Sequence, residues 1–264
     1  MENAVNDVLL EVYLFRHAER IDFADENWIL CKENEPFLYN PPITKSGIEK
    51  TKLLASKIKL NGQPIVYTSP FDRCIQTALA FINGNPCKCT KSNHHCSVNS
   101  KNQILPLPTP QKNLKIEYGF SEFFTPTYFK KKPDIPTLSE IKKKHFSQQN
   151  NNSTCSKQYL DLTYDTFMDI PRIFPESYNG MISRINQTFF NLVQSILSIR
   201  NNNLENVENN FSVQKVPILL FLHADGINSI LNYFVKEDDY QIPYLFCCKL
   251  TLKKGKSKFY MEIP

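Results

Sequence analysis

Two apolar runs, each ending at a histidine, constrain the fold more than any other feature of the chain. Val8 to Phe15 leads into Arg16-His17, and Val216 to Leu222 leads into His223. The second run contains no polar side chain, the pattern of a strand covered on both faces in a sheet flanked by helices. Between the runs the periodicity becomes helical. Residues 46–60 carry the capping box Ser46-x-x-Glu49 with Ile48, Leu54 and Ile58 on one side. After a short strand at Ile65–Tyr67, Ser69 reads as an N-cap with Pro70 at the first helical position. The stripe Phe71, Cys74, Ala78 and Phe81 continues that helix. A long amphipathic helix is predicted over 177–200 from Met181, Ile185, Phe189, Leu192 and Ile196. Leu114–Ile116 predicts one more short strand, and 244–252 with 259–263 predicts a hairpin around Lys253-Lys254-Gly255-Lys256. Strands alternating with helices imply a three-layer α/β/α domain with a mainly parallel central sheet, whose chemistry belongs at the carboxyl ends of its strands.

Residues 1–264 read as a single domain with insertions at about 84–112, 118–176 and 201–214, where Pro, Asn, Ser and Lys displace periodic apolar residues. The proline-bearing 118–176 stretch is expected to cover one end of the domain rather than to build its core. A hydrophobic content of 41% suffices for a sizeable core. The first apolar run is too short to span a bilayer and no basic region precedes it, so the expectation is a soluble cytoplasmic or nuclear protein with no membrane contact. The 8 cysteines, without an export signal, are expected as reduced thiols. Cys87-x-Cys89 with His94, His95 and Cys96 lacks the paired knuckles of a structural zinc site and reads as a surface insertion that holds no metal. A net charge of +5, with lysine clusters at 130–132 and 142–144, fits a solvated face or attraction to a polyanion. No nucleic-acid-binding signature accompanies it, so nucleic acid is not an expected partner.

The candidate chemistry sits where the apolar runs end. His17 is flanked by Arg16 and Arg20, and His223 stands at the equivalent place on the other strand. Arg73, just inside the helix that follows Ser69-Pro70, adds a third guanidinium near a helix N-terminus. Together they describe a pocket for a phosphoryl group, in which cationic neighbours keep the His17 imidazole neutral and nucleophilic.

These strings resemble the histidine phosphatase (phosphoglycerate mutase-like) superfamily. Arg16-His17-Ala18-Glu19-Arg20 is similar to the Arg-His-Gly-Glu-Arg of one branch, the Sts suppressors of T-cell receptor signalling and the insect ecdysteroid-phosphate phosphatases. Asn40-Pro41-Pro42-Ile43-Thr44, Ser69-Pro70-Phe71-Asp72-Arg73-Cys74-Ile75-Gln76-Thr77-Ala78, Glu117-Tyr118-Gly119-Phe120-Ser121-Glu122-Phe123 and Pro175-Glu176-Ser177-Tyr178 follow in the branch's order. The resemblance implies a phosphoglycerate mutase-like fold and a metal-independent phosphomonoesterase with no cofactor. His17 would be its nucleophile, with Arg16, Arg20, Arg73 and His223 as phosphate ligands and Glu122 as proton donor, Glu117 being the alternative acid. Homodimerisation is a tendency of that branch. A phosphotyrosine protein, a phosphorylated sterol and a small metabolite all remain open as substrates, and Phe120, Phe123, Phe124, Tyr128 and Phe129 suit an aromatic or hydrophobic leaving group. A mutase fits less well, because Glu19-Arg20-Ile21-Asp22 replaces the Ser and Asn expected after the histidine.

The chain departs from the pattern at Ala18 and Ala224, which stand where the superfamily has glycine, and at Asp225. Methyl groups there are expected to crowd backbone close to the phosphate, and Asp225 to oppose an incoming dianion. The alternative is therefore a catalytically weak or inactive phosphatase-like interaction module.

Overall fold

Strands β1 (Val8–Arg16), β2 (Ile65–Thr68), β3 (Lys112–Ile116), β4 (Gln158–Leu160), β5 (Ile218–Leu222), β6 (Cys247–Lys253) and β7 (Phe259–Glu262) form one sheet in the order β4-β3-β2-β5-β1-β6-β7. The structure, a computed structural model, describes residues 7–84, 97–98, 104–105, 112–146, 158–205, 216–236, 240–256 and 258–264. The five strands from β4 to β1 are parallel, and β6 and β7 close the sheet antiparallel against β1. Parallel register sets Phe15 beside Phe221 and Arg16 beside Leu222, so His17 and His223 leave the sheet side by side. The main chain joins them too, His17 N donating to Leu222 O at 3.1 Å.

Alternation along β1 and β5 divides the core. Leu10, Val12, Leu14, Ile218, Leu220 and Leu222 face a layer that holds Ile185, Phe189 and Leu192 of α6 (Tyr178–Glu205). Tyr13, Phe15, Leu219 and Phe221 face the other layer, with Phe71, Ala78 and Phe81 around α4 (Asp72–Gly84). This is the predicted three-layer arrangement. Two short helices, α1 (Ile21–Ala24) and α2 (Glu26–Leu30), follow β1, and α3 (Lys45–Lys57) packs on α4.

Several helix starts differ from the sequence reading. The cap of α3 is Thr44, whose hydroxyl accepts from Gly47 N at 2.8 Å, while Glu49 is turned toward Lys52 at 2.7 Å. Its buried residues are Gly47, Thr51 and Ala55, with Ile58 buried just past its end and Leu54 partly buried, because α3 lies close to α4: a Cβ placed on Gly84 would meet the Lys52 backbone at 2.5 Å. Helix α4 begins at Asp72, with Asn40 Oδ1 accepting from Asp72 N at 2.9 Å, so Ser69 is left free of capping.

The 118–176 stretch does more than cover one end. It supplies β4 at the sheet edge, helix α5 (Leu138–Phe146), and the fully buried Phe120 and Phe124. In the 84–112 insertion, Ser97–Val98 and Ile104–Leu105 pair antiparallel. The Cys87–Cys96 cluster lies outside the described residues. No described helix is long and apolar enough to cross a membrane.

Candidate active site

The site lies over the carboxyl ends of β1, β5, β2 and β3, and each strand contributes to it. His17 follows β1. As a neutral ring its Nδ1–H donates to Ala18 O at 2.8 Å, which leaves the Nε2 lone pair facing the pocket. Burial, Arg73 and His223 together push this imidazole well below its ordinary value, outweighing the Ala18 carbonyl and Glu122.

His223 follows β5 and opens α7 (Ala224–Ile230), its ring 5.4 Å from that of His17 and edge-on to it. Its Nδ1 donates to Glu122 Oε2 at 2.9 Å and its Nε2 takes the Ser69 hydroxyl at 2.9 Å. Burial lowers it to about 4, so it too is neutral. Ser69 is thus a site residue that the sequence reading placed in a helix cap. Its position, directly after a buried strand like His17 and His223, was the available signal.

Arg73 comes from the first turn of α4 and is 1% exposed. Its Nη2 donates to Glu122 Oε2 at 3.0 Å, and the guanidinium lies 4.5 Å above the Phe71 ring. Its Nε and Nη1 are buried without an acceptor, as is Nε of Arg16. Arg16 donates through Nη1 to Ile242 O and lies 4.3 Å over Tyr244. Arg20 is held by Asp22 through two bonds, at 3.0 and 2.6 Å, with its guanidinium over Phe23. Burial lowers Arg16, Arg73 and His223, and the charge of Arg20 adds to that lowering in all three.

Glu122 is 8% exposed and completes the site. Burial alone would raise its carboxyl, but His223 and Arg73 outweigh burial and hold it well below the usual range. One nitrogen of each histidine and one Glu122 oxygen lie within 4.8 Å of one another. That trio has the composition of a metal-ligand set, yet the three guanidiniums around it favour an anion. Glu117 is placed differently: it accepts from Gly119 N at 2.9 Å, Tyr164 Oη at 2.5 Å and Phe167 N at 2.8 Å, and is fully buried. Those bonds make it a structural tie between the loop and the 164–167 stretch.

The two alanines do not crowd the pocket. Ala18 is fully buried with its methyl toward Gly47, where an added Cβ would lie 3.1 Å away, and its amide donates to Thr77 Oγ1 at 3.0 Å. The missing side chain of Gly47 makes the room. Ala224 packs against the α6-side core.

The loop bearing Glu122 is tied down by a residue the motif strings did not include. Arg184 of α6 donates to Gly119 O at 2.8 Å, Ser121 O at 3.0 Å and Glu122 O at 3.1 Å, and pairs with both oxygens of Glu176 at 2.8 Å. Of the predicted aromatic set, Phe120, Phe124 and Phe129 belong to the core, while Phe123 is half-buried and Tyr128 is 51% exposed.

Residues 12–93 match the sequence profile of the histidine phosphatase superfamily (branch 1). Among solved structures, the chain is similar to the ecdysone phosphate phosphatase from Bombix mori in complex with tungstate, at 16% identity and TM-score 0.58, covering 94% of this chain and 93% of that one. It is also similar to phosphoglycerate mutase from Bacillus anthracis, at 11% identity and TM-score 0.51, over 98% and 94% of the two chains. No curated protein sequence matches it significantly.

Proposed function

We propose that this chain, whose residues 12–93 match the histidine phosphatase superfamily, is a metal-independent phosphomonoesterase that works through a phosphohistidine on His17. The observation that carries the reading is Arg73. A guanidinium 1% exposed, with two donor nitrogens lacking an acceptor and set beside a neutral imidazole, is built to receive oxygens from a ligand.

In this reading Arg73 and Arg16 bind the phosphoryl oxygens, with Arg20 and His223 adding donors as the ester enters. The phosphoryl group displaces the Glu122 carboxylate from Arg73, and Glu122 takes up a proton as it loses that partner. Nε2 of His17 attacks phosphorus, the P–O ester bond breaks, and the Glu122 proton goes to the departing oxygen. A water then gives its proton to Glu122 and attacks the phosphohistidine, releasing phosphate and the free imidazole. Positive charge for the transition state comes from the guanidiniums, so no metal is called for. The open ring faces of Phe123 and Tyr128 suit a leaving group with aromatic or apolar surface.

The test is turnover of p-nitrophenyl phosphate in excess chelator, beside His17→Ala. Metal-independent hydrolysis that vanishes in the variant, with acid-labile, base-stable phosphate trapped on His17, is the expected result. Equal signals from both proteins would instead favour the non-catalytic interaction module.

A further inference from the structure

In the proposed reaction the leaving group departs on the side of Glu122, since that carboxyl delivers its proton, and an unexplained acid stands on that side. Asp225 lies two residues after His223 in α7, and Tyr128 lies on the loop that follows Glu122. The Tyr128 hydroxyl donates to Asp225 Oδ2 at 3.1 Å, joining the two walls of the pocket. None of the ion pairs among the described residues includes Asp225. Burial raises its carboxyl and the charge of Glu122 raises it further, against weaker relief from Tyr128 and Arg16.

Aromatic surface adjoins this acid through Tyr128. The Tyr128 ring meets Phe123 edge-on with centroids 6.4 Å apart, and Phe123 meets Tyr178 at 6.1 Å. Tyr128 is 51% and Tyr178 58% exposed, so ring surface remains open. A carboxylate here repels any leaving group that carries negative charge. With aromatic faces it has the chemistry that attracts an ammonium, through direct charge and through the ring quadrupole.

We propose that Asp225, with the open face of Tyr128, forms a leaving-group subsite for phosphomonoesters that carry an ammonium group, the amino-alcohol phosphates. This rests on reading the pocket as a phosphomonoester site. The subsite turns the departure at Asp225 from a defect into a selectivity device: the acid that opposes a bare dianion favours a zwitterionic ester.

The experiment compares phosphocholine with its uncharged isostere, 3,3-dimethylbutyl phosphate, by calorimetric binding to the full-length His17→Ala chain, which is not expected to turn them over. Phosphocholine is expected to bind about tenfold more tightly than the isostere, the size of one favourable charge and ring contact. In His17→Ala/Asp225→Asn the preference should fall to about one, and His17→Ala/Asp225→Ser provides a second variant should the first fold poorly. No preference in the Asp225 protein, or the same preference in both substituted proteins, overturns the subsite. Turnover of p-nitrophenyl phosphate by the unsubstituted chain is read separately. Turnover without the preference removes the subsite and leaves the phosphatase reading; the preference without turnover does the reverse.

Discussion

At the scale of single residues the site is a set of charges held in balance by proximity. Arg73 is matched by Glu122 and Arg20 by Asp22, and both imidazoles are neutral. A dianion entering this arrangement separates Arg73 from Glu122, and a buried carboxyl that loses its cation takes up a proton. Tungstate, whose charge is constant across neutral pH, should therefore bind with uptake of a proton, its Kd rising by up to about tenfold per pH unit. Glu122→Gln should flatten that slope, and a slope unchanged by the substitution would remove Glu122 from the acid role. Ala18 and Gly47 make a second residue-scale test. Gly47→Ala brings two methyl carbons to 3.1 Å, tighter than most such contacts, directly beside His17. It should lower kcat/KM and stability together, and the double variant Gly47→Ala/Ala18→Gly should recover part of each, the remaining loss coming from Thr44 Oγ1, which the new methyl would meet at 3.2 Å. Failure of the double to recover would mean that the α3 contact does not set the position of His17.

At the scale of elements the decisive feature is how α6 holds the loop that carries Glu122. Five bonds from one guanidinium fix three loop carbonyls and Glu176, and Glu176 in turn accepts from Phe124 N at 3.3 Å. Removing the cation alone leaves Glu176 buried and unpaired, so Arg184→Met should destabilise by about 3–5 kcal/mol, read from denaturant midpoints. Arg184→Met/Glu176→Leu should regain part of that. It should not regain rate on an alkyl phosphate, whose leaving oxygen needs the Glu122 proton, although p-nitrophenyl phosphate should suffer less. Equal losses on both esters would show that Arg184 supports the fold without positioning the acid. Elements of this kind separate what was legible in the sequence from what was not. β1, β5 and α6 were readable because their apolar patterns are dictated by burial on two faces or one. Helix starts were misplaced because Thr44, two residues before the Ser46 of the apparent capping box, is the cap of α3, and because the cap of α4 comes from Asn40, far from that helix in sequence. The same holds in the site. His17, His223 and Arg73 were found at strand ends and in a helix's first turn, whereas Ser69 and Arg184 act through partners far along the chain, which spacing alone does not reveal.

At the scale of the whole molecule, burying two imidazoles at the carboxyl ends of the central strands ties stability to pH. An unfolded histidine titrates near 6.5, while His223 is held at about 4 and His17 is also depressed, in both cases chiefly by burial. The sign follows from which state binds the proton. Above about 6.5 both states are neutral and the stability is complete; as pH falls the unfolded chain protonates first, and stability is lost down through the folded values. For His223 alone the loss at pH 5 is about 2 kcal/mol, equivalent to a fall in melting temperature of roughly 4–8 °C in a chain of this size. Glu117 and Asp225 work in the opposite direction. Burial raises both carboxyls, so the folded state gains protons at them as pH falls and offsets part of the histidine loss nearer the carboxylate range. The melting temperature should accordingly drop between pH 7 and pH 5, more shallowly in His17→Ala and in His223→Asn. Saturating tungstate should also shallow the drop, because a bound anion favours both imidazolium forms. A melting temperature indifferent to pH over that interval, in the unsubstituted chain, would mean that the two imidazoles are solvated and that the closed pocket assigned to phosphoryl transfer does not form.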